Sequence, residues 1–141
     1  MKISAGCAII YNNKILFCHP TNAAWVGTFT TPKGGVNENE SLINAAIRET
    51  KEEVGIDITY DMIFNINKPI EITYIKKKHI YKIVYIYVVL INSLGSIKLN
   101  TEVIPKKQLQ LEEIDWAGFL NIEEIEEKAY FRYIALKEFL K

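Results

Sequence analysis

The stretch that decides the fold of this chain, residues 34–56, reads GGVNENESLINAAIRETKEEVGI. Its first residues, together with the preceding Pro32 and Lys33, are rich in glycine and asparagine and predict a loop. From Ser41 to Val54 the sequence predicts a helix of about four turns. Gly55 is placed to end that helix, because glycine readily adopts the left-handed conformation found after helix C-termini. The stretch therefore predicts a loop followed by a capped helix.

The predicted helix separates apolar side chains from acidic ones. At about 100° per residue, the stripe that should pack against a sheet contains Ile43, Ile47, Thr50 and Val54. The acidic side chains fall together roughly 140° from that stripe, and they are Glu49, Glu52 and Glu53. Like charges at this spacing repel, and a hard cation such as Mg²⁺ or Mn²⁺ would relieve the repulsion. Because acidic clusters are commonly solvated helix surfaces, the cluster alone leaves both interpretations open.

The residues around the helix favour the metal-binding interpretation. Residues 34–56 fit, without a gap, the pattern G-x5-E-x7-R-E-U-x-E-E-x-G-U, where U is a bulky apolar residue. Its fixed letters fall on Gly34, Glu40, Arg48, Glu49, Glu52, Glu53 and Gly55. Thr50 occupies one U position and Ile56 the other. This pattern is the Nudix box, so the chain resembles the Nudix hydrolases from Gly34 to Ile56. Upstream, FTTPKGG is similar to the family's W-x-x-P-K-G sequence, with Phe29 in place of tryptophan.

The resemblance implies a fold and a reaction. Nudix hydrolases cleave a pyrophosphate bond in a nucleoside diphosphate linked to another group, X, and they use Mg²⁺ or Mn²⁺. The implied fold is α/β of the α+β type, an α/β/α sandwich with a mixed β-sheet between helices, in one domain over residues 1–141. The PKGG sequence and the HPTN…W loop look most like relatives that act on dinucleoside polyphosphates or nucleotide-linked diphosphates. The alternatives are a nucleoside triphosphate pyrophosphatase of nucleotide-pool sanitation, an RNA 5′-pyrophosphohydrolase, and a non-catalytic nucleotide sensor.

The resemblance also implies roles for individual residues. The implied metal ligands are Glu49, Glu52 and Glu53, with further contributions from Glu40 and the main-chain carbonyl of Lys33. Arg48 corresponds to an arginine that pairs with a box glutamate and orients it for catalysis. The general base is either Glu49 or an acidic residue of EEIDWAGFL, which resembles a late element of the family. In that segment Glu113 is the first candidate and Glu112 the second.

Substrate contacts are expected from the loops beside the helix. Gly34 and Gly35 carry no side chain, so their backbone can approach a phosphate closely. Lys33 is placed to contact a phosphate with its ammonium group. Trp25, in the loop before the box, is a candidate for stacking on the nucleobase.

The rest of the chain predicts strands and a second helix. ISAGCAIIY and KILFCH predict a β-hairpin with Asn12-Asn13 as its turn, which would place Cys7 opposite Cys18. TFTT, IDITY, IFNIN and IEITYI predict short extended segments. HIYKIVYIYVVLI predicts a central strand buried on both faces. Residues 122–140, IEEIEEKAYFRYIALKEFL, predict a second amphipathic helix.

Composition limits the partners of the chain. Its 17 basic and 17 acidic residues cancel, so no overall attraction to DNA or to an anionic membrane is expected. No apolar run reaches the length of a membrane span, and the start of the chain makes a poor signal peptide. These features predict a cytoplasmic location with reduced thiols at Cys7 and Cys18, and they leave open a homodimer. The enzymatic activity and the small-molecule nucleotide substrate are implied by the resemblance. His19 and His79 lack metal-pair spacing and are expected to be structural or exposed.

Overall fold

A mixed sheet between two layers of helices forms the framework of the protein. The computed structural model describes residues 1–141, and its strands are Lys2–Tyr11 (β1), Lys14–Pro20 (β2), Lys33–Gly35 (β3), Ile70–Lys76 (β4), His79–Leu90 (β5) and Ile114–Leu120 (β6). The six-stranded sheet has the order β4-β5-β1-β2-β6, with β3 beside β1. The α-helices are Leu42–Val54 (α1) and Ile122–Lys128 (α2), and a 3-10 helix spans Phe131–Phe139.

Two apolar cores lie on opposite faces of this sheet. Helix α1 contributes Ala45, Ala46 and Val54 to the first core. Helix α2 and the 3-10 helix contribute Ile125, Tyr133 and Leu136 to the second. The predicted arrangement, a mixed sheet between helices, is therefore confirmed.

Strand β1 is the centre of the sheet. It runs parallel to β5 over a long register, from Lys2 opposite Lys82 to Ile10 opposite Leu90. On the other edge of β1, strand β2 pairs only with the end of β1 that leads into the Asn12-Asn13 turn. Both asparagines of this turn have positive φ. The predicted hairpin is thus present, with the left-handed backbone that a two-residue turn of this type requires.

The segment around β3 separates β1 from β2 beyond that turn. The Cys7 N–H donates to the Pro32 carbonyl at 3.1 Å, and Cys18 pairs with Thr30 instead of with β1. The expectation that Cys7 and Cys18 face each other across paired strands is therefore wrong. Both thiols are buried and free.

The prediction of a loop over the whole of PKGGVNENE is also wrong. Residues 33–35 form strand β3, antiparallel to β1, with Gly34 opposite Ala5. This pairing depends on Gly6 of β1, because a Cβ there would lie 2.0 Å from the Pro32 carbonyl oxygen. The close approach of β3 to β1 therefore depends on Gly6, which is distant in sequence, so residues 32–40 alone do not predict the strand.

Three of the predicted extended segments do not form strands. Residues 56–60 pair with no strand, and residues 63–67 contribute one isolated bridge, Ile63 to Val89. Ile56 and Ile58 are buried, and Asp57 between them is exposed. The segment therefore packs its two isoleucines into the core without pairing with a strand of the sheet. TFTT likewise makes only two isolated bridges, at Phe29 and Thr30.

The second predicted helix is interrupted. Helix α2 ends at Lys128, and both Ala129 and Tyr130 have extended backbone. The interruption follows from pairing with Phe29, whose N–H donates to Lys128 O at 2.9 Å and whose carbonyl accepts from Tyr130 N at 2.8 Å. A long-range backbone contact therefore overrides the continuous helical pattern. No helix in the structure has the length and apolarity needed to cross a membrane.

Candidate active site

A cleft of about 520 Å³ opens where α1, β3 and the first residues of β1 meet. Its acidic lining residues are Glu49, Glu52, Glu53 and Glu113. Its basic lining residues are Lys2, Lys33 and Lys82. Gly34 and Gly35 of β3 complete the same wall. The cleft thus collects most of the sequence-predicted site residues, together with two lysines that the sequence did not indicate.

Glu53 lies against the sheet side of the cleft. Only 8% of the residue is exposed, and its Oε1 accepts from the Lys33 N–H at 3.1 Å. Burial, opposed by that hydrogen bond, raises the pKa of the Glu53 carboxyl to about 7. The wheel placed this residue away from the core together with Glu49 and Glu52, and that placement is wrong for Glu53. Helix α1 packs on the sheet through Ala46, Thr50 and Val54, and Glu53 lies at the edge of that contact.

Arg48 links the carboxylates outside the core. Its Nη1 donates to Glu49 at 2.8 Å and to Glu52 at 3.2 Å, and its Nη2 donates to the Gly35 carbonyl at 2.8 Å. Its Nε and Nη2 bind the two oxygens of Glu40 at 2.8 and 2.9 Å. These charge-assisted bonds hold the pKa of Glu40 at about 2. One planar guanidinium therefore positions α1 carboxylates relative to β3.

Glu40 itself lies outside the lining of the cleft, although it was a predicted metal ligand. Both of its oxygens are occupied by Arg48, and one also accepts from the Asn37 N–H. In this arrangement Glu40 acts on the cleft through Arg48.

Glu49 approaches the backbone of β3 very closely. A Cβ built on Gly34 would lie 2.1 Å from the Glu49 carboxyl carbon. Gly34 therefore provides the space in which this carboxylate sits, whereas a Cβ on Gly35 would meet nothing within 4 Å. A side chain at Gly34 would therefore displace Glu49, whereas a side chain at Gly35 would displace no protein atom.

The cleft offers the donor chemistry of a hard divalent cation. Four carboxylates face it, and the carboxylate of Glu53 is buried with a single backbone N–H as its hydrogen-bond partner. Buried carboxylates normally have a cationic partner, and Mg²⁺ and Mn²⁺ prefer oxygen ligands. No three acidic, histidine or cysteine side chains are grouped as a ready ligand set. The residues present fit such an ion chemically, with Glu49 and Glu52 held by Arg48.

Lys2 and Lys82 are the site residues that sequence reasoning missed. They are directly opposite each other on the parallel strands β1 and β5, and both line the cleft. Burial, together with the positive charges of Lys33 and Lys2, lowers the pKa of Lys82 to about 8. The sequence did contain one signal for Lys82, because it is the single lysine in the otherwise apolar strand HIYKIVYIYVVLI. The position of Lys2 depends on a parallel pairing that the sequence does not reveal.

Trp25 lies elsewhere. It is 52% exposed and is not part of the cleft lining. Its indole stacks on the buried His19 ring at 3.7 Å, and His19 binds Asp115 and the Ala23 carbonyl. His19 is therefore structural, and His79 is exposed, as expected for both.

The two candidate bases in EEIDWAGFL are separated by the fold. Glu113 lines the cleft, whereas Glu112 is exposed outside it.

The fold and this cleft define a hydrolase of phosphoric anhydrides. A NUDIX domain model matches residues 1–139, and the chain belongs to the Nudix family of pyrophosphohydrolases. Comparison with curated proteins gives no significant match.

Solved structures of other proteins have a similar fold. An Ap4A hydrolase from C. elegans, in a binary complex, has a TM-score of 0.69 at 23% identity, covering 98% of this chain and 93% of that one. A MutT NUDIX hydrolase from Burkholderia pseudomallei has a TM-score of 0.71 at 17% identity, covering 97% and 95%. The E. coli dihydroneopterin triphosphate pyrophosphohydrolase has a TM-score of 0.66 at 15% identity, covering 96% and 92%. At these identities the similarity concerns the fold alone.

Proposed function

We propose that this chain, as a single Nudix domain over residues 1–141, is a Mg²⁺- or Mn²⁺-dependent hydrolase of nucleoside diphosphate derivatives. The preferred substrates are dinucleoside polyphosphates or nucleotide-linked diphosphates. One observation carries the proposal: four carboxylates and three ammonium groups line a single cleft beside the Nudix helix. This arrangement suits a bound cation together with an anionic substrate. The Ap4A hydrolase of similar fold acts, by its name, on a dinucleoside polyphosphate.

The carboxylates of α1 would hold the metal. We assign this role to Glu49, Glu52 and Glu53, with the Lys33 carbonyl as a further donor and Glu40 acting through Arg48. The metal, when bound, neutralises phosphate oxygens and lowers the pKa of water. The Arg48 guanidinium keeps the carboxylates of Glu49 and Glu52 in place when the site is empty, because both accept hydrogen bonds from its Nη1.

The backbone of β3 and the Lys33 side chain would bind phosphate. Gly34 and Gly35 line the cleft and present backbone at its wall. Trp25, predicted to stack on the nucleobase, lies outside the cleft. Its role remains a prediction that requires the nucleoside to extend toward His19.

Glu113 is the preferred general base. It faces the same cleft as Glu49, but no hydrogen bond or salt bridge occupies its carboxylate, whereas Arg48 binds Glu49 at 2.8 Å. A carboxylate that is free of ion pairs can accept a proton from an attacking water. Glu49 and Glu112 remain the alternatives, and Glu112 would first have to reach the cleft.

Loss of one carboxylate tests the proposal. A panel of dinucleoside polyphosphates, nucleoside diphosphate sugars and nucleoside triphosphates is incubated with Mg²⁺ or Mn²⁺, and the products are identified. Glu52→Gln should lower kcat by about two to three orders of magnitude, as loss of electrostatic stabilisation does in other active sites. Glu38→Gln removes an exposed charge of the same loop–helix segment and should leave activity unchanged.

The panel also separates the alternatives. Preferred release of pyrophosphate from triphosphates would favour a nucleotide-pool pyrophosphatase, and preferred action on a triphosphorylated RNA would favour a 5′-end hydrolase. Tight nucleotide binding without turnover of any substrate would show a sensor domain and contradict the proposal.

The location and assembly are further proposals. Two buried free thiols support a reducing compartment such as the cytoplasm. A homodimer, which the sequence leaves open, is tested by sedimentation of the purified chain.

A further inference from the structure

The basic side of the cleft is built from two distant parts of the chain. Lys2 begins β1 and Lys82 lies near the start of β5, and the parallel register places their Cα atoms opposite each other. Both side chains line the same cleft as Lys33. Three ammonium groups therefore face the space in which the substrate is proposed to bind.

None of these three lysines forms a salt bridge in the protein. The structure contains eight salt bridges, and none of them involves Lys2, Lys33 or Lys82. Like charges directly opposite each other on neighbouring strands destabilise a sheet. The nearest favourable contact of Lys82 is the ring of Tyr74, whose centroid lies 5.0 Å from the Lys82 Nζ. This contact holds the side chain in place without neutralising it.

An anion in the cleft would provide a direct ion-pair partner for these ammonium groups. Lys33 belongs to the wall next to Glu53, because its own N–H binds that carboxylate. Lys2 and Lys82 belong to β1 and β5, away from α1. The cleft therefore has a carboxylate side on the helix and an ammonium side on the sheet.

Building on the proposed function, we propose that Lys2 and Lys82 form an anion subsite that binds phosphate groups of X. The proposal makes X a phosphorylated, polyanionic group and favours dinucleoside polyphosphates over nucleoside diphosphate sugars. A neutral sugar offers two ammonium groups only hydroxyl acceptors and no negative charge, whereas each additional phosphate adds negative charge and stronger acceptor oxygens. Lys2 and Lys82 are thus specificity-determining residues for the length of the phosphate chain.

Substrate kinetics test the role of the two lysines. For a diadenosine tetraphosphate, Lys2→Gln and Lys82→Gln should each raise KM about tenfold with kcat changed less than about threefold, because each removes a charge-assisted contact. For a nucleoside diphosphate sugar the same variants should have unchanged KM. Lys107→Gln, an exposed lysine outside the cleft, is the control. Equal effects on both substrates would overturn the assignment.

Binding of a metal-free anion tests the subsite independently of catalysis. Inorganic tripolyphosphate is titrated calorimetrically into the protein in EDTA at low ionic strength, where screening is weak. The Lys2→Gln/Lys82→Gln variant should bind at least about tenfold more weakly than the wild type, Lys82→Arg should retain binding, and thermal denaturation confirms that each variant is folded. Equal binding by the wild type and the double variant, including no binding by either, would overturn the proposal. Binding that depends on these lysines in a protein without turnover would support the subsite and contradict only the proposed hydrolase.

Discussion

At the scale of single residues, the three glutamates of α1 have different surroundings. Arg48 binds Glu49 and Glu52, whose side chains are 13% and 47% exposed. Glu53 is buried and has only the Lys33 N–H. The sequence predicted the identity of this acidic group and the partnership of Arg48 with a box glutamate. It did not predict the burial of Glu53, because a helical wheel shows relative directions and not how deeply a neighbouring sheet covers them.

Burial of Glu53 predicts a pH-dependent cost to the metal-free protein. Its pKa is about 7 in the folded state, against an ordinary value of 4.5 for a glutamate carboxyl. The folded state therefore binds more protons than the unfolded state between these values, and stability falls as pH rises through this window. In EDTA at pH 8, Glu53→Gln should be more stable than the wild type by up to about 3 kcal/mol, and the difference should vanish near pH 4.

Thermal and urea unfolding across pH 4–8 measure this difference. Glu38→Gln, on an exposed loop, controls for the loss of one negative charge. Stability curves of Glu53→Gln and the wild type that remain parallel at every pH would contradict a buried carboxyl.

At the scale of elements, local signals located the helix well and the strand pairing poorly. Helix α1 begins after Ser41, whose side chain accepts from the Asn44 N–H, and ends at Gly55 with φ of 69°. Caps are short-range features, so the sequence predicted both ends of this helix. Strand β3 and the break after α2 depend on Gly6 and Phe29, which lie far away in the chain. Their backbone contacts are tertiary, and no local pattern carries them.

The contact between β3 and α1 predicts a functional difference between adjacent glycines. Gly34→Ala would place a methyl group on the Glu49 carboxylate, and this flexible side-chain end would move aside. We expect kcat/KM to fall by about 10- to 100-fold, since small misplacement of a catalytic group has large effects. The free energy of unfolding should change by less than about 1 kcal/mol.

Gly35→Ala is the comparison variant, because it also adds a methyl group to the cleft wall but its Cβ would meet no protein atom within 4 Å and would leave Glu49 in place. Both variants are compared by steady-state kinetics and by urea denaturation. Equal activity of the two variants would show that the position of Glu49 beside Gly34 is unimportant for turnover.

At the scale of the whole molecule, the sheet brings the two charged sides of the cleft together. The sandwich, the Nudix family and the acidic helix could all be predicted from a contiguous 23-residue pattern. The ammonium side could not, because Lys2 meets Lys82 only through the parallel pairing of β1 with β5. Glu113, the residue before β6, also lines this cleft. Only the resemblance to the Nudix family predicted that Glu113 belongs to the site.

Metal binding should stabilise the whole domain. A ligand at about 100 times its Kd adds roughly 2.7 kcal/mol to the free energy of unfolding. This gain should raise the Tm by several degrees for a domain of this size. Differential scanning fluorimetry with and without Mn²⁺ should show the shift in the wild type and lose most of it in Glu52→Gln/Glu53→Gln. An equal shift in this double variant would place the metal outside the cleft.

The parallel pairing of β1 with β5 also governs how the chain reaches its native state. Strand β1 is synthesised before β5, and its earlier partners are β2, at Ile10 and Tyr11, and the short strand β3, at residues 4–6. Its remaining residues find their parallel partner only when His79–Leu90 has left the ribosome. Pairing between sequence-distant strands is slow and leaves apolar edges uncovered meanwhile. A nascent chain that stalls before β5 therefore leaves one whole edge of the apolar strand β1 unpaired, and we expect it to be a substrate for chaperones and for aggregation.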